Sequence, residues 1–110
     1  EQAIFIRLTR QLEQAEGSGD LAHAVDENRR LWARLMADLI EEGNQMDPQT
    51  KAALIGLGQW VGRHSSQVLA GKANTSALVE VNKSIIKGLG AHVETPMQEA
   101  GNGTPNYGSA

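Results

Sequence analysis

The chain is 110 residues long, one domain's length, and 40% of it is hydrophobic, which excludes wholesale disorder. A formal charge of −3 argues against a phosphate-backbone binder, which carries a basic excess, and the lack of cysteine excludes disulfides, thiolate catalysis and Cys-based zinc sites. No run approaches the roughly 20 apolar residues that span a bilayer, and the opening Glu1-Gln2-Ala3 has neither a signal peptide's basic region nor an initiator Met, so the expectation is a trimmed or partial cytoplasmic chain.

The first helix is expected over about Glu1–Glu16, where Ile4, Phe5, Leu8, Leu12 and Ala15 recur at helical spacing before Gly17-Ser18-Gly19. The second runs from about Leu21 to Glu42. Its apolar seam is Leu21, Val25, Trp32, Leu35 and Leu39, widened by Leu31 and Met36, with Asp20 or Ser18 as cap and Gly43-Asn44 as stop. Asp47-Pro48 opens the third helix: an Asp N-cap before a Pro at the first helical position is a specific start signal. Leu54, Leu57, Val61, His64 and Val68 form its seam with Trp60 beside it, and Gly71 closes it where a left-handed residue is wanted. Asn74-Thr75-Ser76 introduces the fourth, about Ala77–Leu89, whose face is Leu78, Val81, Ile85, Ile86 and Leu89. From Ala91 the periodicity vanishes into a stretch with two prolines, three glycines and few apolar residues. No strand alternation or repeat intervenes. The expected architecture is all-α: a small antiparallel bundle of about four helices over residues 1–90, with a flexible tail over 91–110. A first helix of this length with one apolar stripe is marginal alone, and it is expected to dock loosely.

Three polar residues sit on apolar faces. Asn28 lies in the helix-two seam, His64 between Val61 and Val68, and Asn82 among Leu78, Val81, Ile85 and Ile86. Burying such a group unpaired costs roughly 1–3 kcal/mol. These residues are therefore expected to pair with one another, with a Trp indole N–H or with backbone, as a network fixing helix register. The competing role is a polar patch inside a partner-binding groove.

Other patterns carry less. His64-Ser65-Ser66 is no nucleophile–base pair, because sequence neighbours point to different faces of a helix. His23, His64 and His92 lack metal-ligand spacing, so no metal and no cofactor is expected. Gly56, Gly58 and Gly62 fall inside a helical pattern without the strand or the Lys-Ser/Thr of a phosphate loop. Gly58 and Gly62 share a face that a neighbouring helix can approach closely. Arg29, Arg30 and Arg34 form a small basic patch balanced by Glu27, Asp38, Glu41 and Glu42. The Asn-X-Ser/Thr triplets at Asn74, Asn82 and Asn102 carry no weight in a cytoplasmic chain.

Asn28-Arg29-Arg30-Leu31-Trp32, Trp60-Val61-Gly62-Arg63-His64-Ser65 and Leu78-Val79-Glu80-Val81-Asn82-Lys83-Ser84-Ile85-Ile86-Lys87-Gly88-Leu89 resemble, in order and spacing, stretches of the flagellar biosynthesis regulator FlaF family. The resemblance covers about Glu1 to Leu89. It includes Asn28, Arg30, Trp32, Trp60, His64 and Asn82, read here as the family-motif residues and core network. The chain departs from the family by lacking the short Tyr-containing stretch before helix one and by continuing past Leu89.

The resemblance implies a non-enzymatic cytoplasmic protein of alphaproteobacterial type. Its expected role is to bind flagellin as a secretion chaperone and to regulate flagellin synthesis and export, working alongside FlbT. Flagellin's terminal segments are helical in the filament and prone to early assembly. A small bundle can hold one such amphipathic helix in an apolar groove. The surface around helix one, Ile4, Phe5, Leu8 and Leu12, is the candidate for that contact, with plain core packing as its competitor. The alternative function is a post-transcriptional regulator acting on flagellin messenger RNA directly or through FlbT. The negative charge weighs against the direct version.

Overall fold

An apolar stripe on a helix has to be covered, and the stripes of this sequence cover one another. The computed structural model describes residues 2–94, with side chains described through residue 88. Four helices follow in order: α1 (Gln2–Gln14), α2 (Gly17–Ile40), α3 (Pro48–Leu69) and α4 (Ser76–Glu94). The fold is all-α. α4 continues past the expected stop at Leu89, through Gly90 and four further residues of the expected tail. The remainder of that segment, residues 95–110, lies outside the described residues. No helix among the described residues is long and apolar enough to cross a membrane.

Local chemistry sets most of the boundaries. Asp47 caps α3 as expected: its carboxylate accepts from the backbone N–H of Gln49 at 3.1 Å and of Thr50 at 3.0 Å, and Pro48 gives up no useful donor at the first position. Asp47→Ala is expected to cost about 1 kcal/mol, read as a lower urea midpoint with unchanged slope. At the other end Gly71 takes φ +77°. Its N–H donates to Val68 O at 3.0 Å while Lys72 N–H donates to Gln67 O at 2.8 Å, the paired bonds of a Schellman stop. Asn44 closes α2 by donating from its side chain to Asp38 O at 3.1 Å. Asn74 Oδ1 opens α4 by accepting from the N–H of Ser76 at 3.0 Å.

The start of α2 differs from expectation. Neither Ser18 nor Asp20 caps it; both lie inside its first turn, and Glu16 stands at the N-cap with no side-chain hydrogen bond. Only Ala15 and Glu16 separate α1 from α2, and the chain turns on Gly17 at φ +81°. A single left-handed residue makes the elbow, so Ser18 and Gly19 are free to join the helix.

Packing follows a ring. α2 lies along α3, α1 along α4 and against α2, and α3 and α4 touch sparingly. α2 and α3 run antiparallel, because Arg29 reaches Ser66 while Met36, farther along α2, lies against the earlier Gly58. The core gathers Phe5, Leu8 and Leu12 of α1, Ala24, Val25, Leu31 and Trp32 of α2, Val61 and Val68 of α3, and Leu78 and Val79 of α4. Of the two glycines expected to admit a close helix, Gly58 does so: a Cβ there would run into Met36 Sδ and Cγ. Gly62 faces open space instead. Gly58→Ala is therefore expected to be close to neutral, because moving the flexible end of the half-buried Met36 side chain offsets the roughly 1 kcal/mol that alanine gains over glycine in a helix. Gly56→Ala, with nothing within reach of the new Cβ, is expected to stabilise by about 0.4–1 kcal/mol. Thermal melts should show a clear rise for Gly56→Ala and a smaller change for Gly58→Ala.

Candidate functional site

The seam positions of α2 and α4 deliver Asn28, Trp32 and Asn82 to the centre of the bundle. The two asparagines are fully buried and Trp32 nearly so. The Trp32 indole N–H donates to Asn82 Oδ1 at 3.0 Å, and Asn82 Nδ2 donates to Asn28 Oδ1 at 2.7 Å. An indole N–H can only donate, so it fixes which end of the Asn82 amide is oxygen, and the remaining end then has to donate onward. The backbones of α2 and α4 are not neighbours. The chain of side chains therefore spans the diagonal of the ring and joins two helices whose backbones do not come close. Asn28 Nδ2 and Ser65 Oγ are buried without a partner.

His64 does not join this network and takes instead the backbone pairing that the sequence also allowed. Its ring stacks on Trp60, with centroids 4.7 Å apart and planes 16° from parallel. Its Nε2 lies 3.2 Å from Asn74 O, tying α3 to the loop before α4. Both rings are half-buried at the edge of the α3 seam. Arg30 stands apart too: its side chain is 70% exposed and pairs with Asp26 one turn back at 3.0 Å, a surface contact of little energetic weight. Of the six family-motif residues, then, three form the buried network, two form a stacked pair, and one faces water.

The α1 residues expected to meet a partner are placed mainly inward. Phe5, Leu8 and Leu12 are buried in the core and Ile4 is half-buried against it. Phe5 meets Trp32 edge to face, centroids 5.8 Å apart at 85°, which closes the network off from water. The stripe thus fills a seat between α2 and α4, and in this arrangement it offers a partner no open surface. Two polar ties accompany it at exposed positions: Gln2 Nε2 donates to Ile86 O at 3.3 Å, and Glu13 pairs with Lys83 at 3.1 Å.

Two buried polar residues escape a periodicity argument. Ser65 sits fully buried beside Val61 and Val68 on α3. Thr9 is buried on α1, its hydroxyl donating to Phe5 O at 2.6 Å. A hydroxyl returned to its own helix is self-sufficient, so Thr9 behaves as an apolar residue while reading as a polar one.

No curated protein and no solved structure matches the chain. The model of the family described as flagellar protein FlaF matches residues 1–89, taking in α1 to α3 and most of α4, and the chain belongs to that family.

Proposed function

We infer that this protein is a non-enzymatic flagellin-binding protein. It holds a terminal amphipathic segment of flagellin in the cytoplasm before export and, with FlbT, links flagellin supply to flagellum assembly. Membership of the FlaF family over residues 1–89 carries this reading. The fold supports it in one respect. A bundle that already buries a short amphipathic helix, α1, between two others has the shape and apolar lining that a flagellin helix needs. Capping flagellin's terminal helix would stop it pairing with another flagellin and leave it ready for export.

Calorimetry of the purified protein against flagellin tests the reading. The expected result is saturable binding with a negative heat-capacity change, the mark of apolar burial, retained by a peptide of the terminal helix alone. Failure of full-length flagellin to bind would remove the proposal.

A further inference from the structure

We propose that α1 is a hinged occupant of the partner's own seat. In the free protein its Phe5, Leu8 and Leu12 stripe fills the groove between α2 and α4; in the complex α1 swings out about Gly17 and a partner's amphipathic helix of the same apolar spacing takes its place. The partner's identity rests on the flagellin reading, whereas the motion does not.

Four observations carry the hinge. First, the connection is minimal: Ala15 and Glu16 alone lie between the helices, and the turn is made at Gly17, φ +81°. A change of backbone angles at that one residue re-aims the whole of α1. Second, the elbow is loosely finished. Glu16 provides no side-chain cap, Gln11 Oε1 is buried without a donor, and a shallow depression opens there, lined by Gln11, Gln14, Ala15, Asp20, His23 and Ala24. Lifting α1 gives the Gln11 oxygen to water. Third, the polar ties of α1 to α4, Gln2 to Ile86 O and Glu13 to Lys83, lie at exposed positions, where water replaces them at little cost. The hold on α1 is its apolar stripe, and a competitor with a similar stripe replaces that like for like. Fourth, α4 keeps a direct tie to α2 that does not run through α1. α2 packs along α3, and although α4 packs chiefly along α1, it is also bound to α2 by the Trp32–Asn82–Asn28 chain, in which α1 has no hydrogen bond, so a helix that replaces α1 finds α4 still held at its centre. What sits in the seat now states what fits it: a helix with apolar residues at i, i+3 and i+7, as Phe5, Leu8 and Leu12 are spaced.

The test uses the absence of native cysteine. The full chain carrying Glu13→Cys and Lys83→Cys, joined by a short bismaleimide, has α1 pinned to α4. It is compared with the same protein left unjoined, using a synthetic peptide of flagellin's terminal helix as probe and hydrogen–deuterium exchange as second readout. The unjoined protein is expected to bind the peptide with faster exchange across residues 2–14 and slower exchange in α2 and α4. Joining is expected to weaken binding by on the order of tenfold or more. Equal binding by the joined protein, or α1 that keeps its protection in the complex, overturns the hinge and leaves flagellin binding standing. If neither form binds the peptide or flagellin, the flagellin reading fails and exchange in the free protein decides the hinge. Residues 2–14 exchanging about tenfold faster than α4 support it, and equal rates overturn it. Gly17→Ala, which disfavours the left-handed turn, is expected to raise α1 exchange further while α3 is unchanged.

Discussion

Asn82→Leu is expected to lower stability by about 3–5 kcal/mol, because it strands two buried groups at once. The Trp32 N–H loses its acceptor and Asn28 Oδ1 loses its donor, while Asn28 Nδ2 is already without a partner. Each stranded group bears its full desolvation cost, and neither side chain has a route to solvent from positions at most 1% exposed. Small domains have only about 5–15 kcal/mol in hand. The melting temperature should therefore fall by roughly 15–30 °C. Urea unfolding followed by circular dichroism gives the free energy. A double-mutant cycle with Trp32→Phe, which removes the same N–H, should show the losses to be strongly non-additive. A loss below about 1 kcal/mol would mean the network does not hold the bundle.

Leu8→Asp should behave differently, although Leu8 is as deeply placed, at 2% exposure. An ionised carboxylate is not tolerated there, but α1 has a way out. The expected cost is about 3–5 kcal/mol or the docking energy of α1, whichever is smaller. The product should be a protein that keeps α2 and α3 and has lost α1. Helical signal equivalent to about one short helix should vanish without urea, and fluorescence of Trp32, uncovered by the departure of Phe5, should change before the main transition. The sign of the effect on flagellin separates two roles for the stripe. If α1 is a placeholder, emptying the seat removes the cost of displacing it and affinity rises. If Ile4, Phe5, Leu8 and Leu12 grip the partner themselves, affinity falls.

Much of this arrangement is legible in the sequence. A polar residue at a seam position cannot be buried alone, and of the partners open to Asn28 and Asn82 the fold uses each other and the Trp32 indole N–H. Asp47-Pro48 marked the start of α3 because the cap is a strictly local device. What failed was nonlocal. His64 and Trp32 look equally central on a helical wheel, yet His64 sits at the edge of its apolar arc, where Trp60 stacks on it and Asn74 O is in reach. A wheel has no means of ranking centre against edge until the neighbouring helices are placed. Gly17-Ser18-Gly19 reads as a three-residue breaker, but the fold uses one left-handed residue and carries the other two into α2. The inward placement of the α1 stripe was open for the same reason: an amphipathic face does not say whether its own chain or another covers it.

The diagonal link also orders events in time. Asn28 and Asn82 are 54 residues apart in sequence, and α1 and α4 come from opposite ends of the described chain, whereas α2 and α3 are joined by a short loop and meet by local closure. Closing the longer loops costs more chain entropy, so the α2–α3 hairpin, which has the most extensive contact of the pairs joined by short connections, is the natural nucleus and the Trp32–Asn82–Asn28 bolt slides home near the end. Removing that bolt should then leave the refolding rate nearly untouched and appear almost wholly as faster unfolding. Asn82 would thus set how long the folded protein lasts, with little say in how quickly it forms.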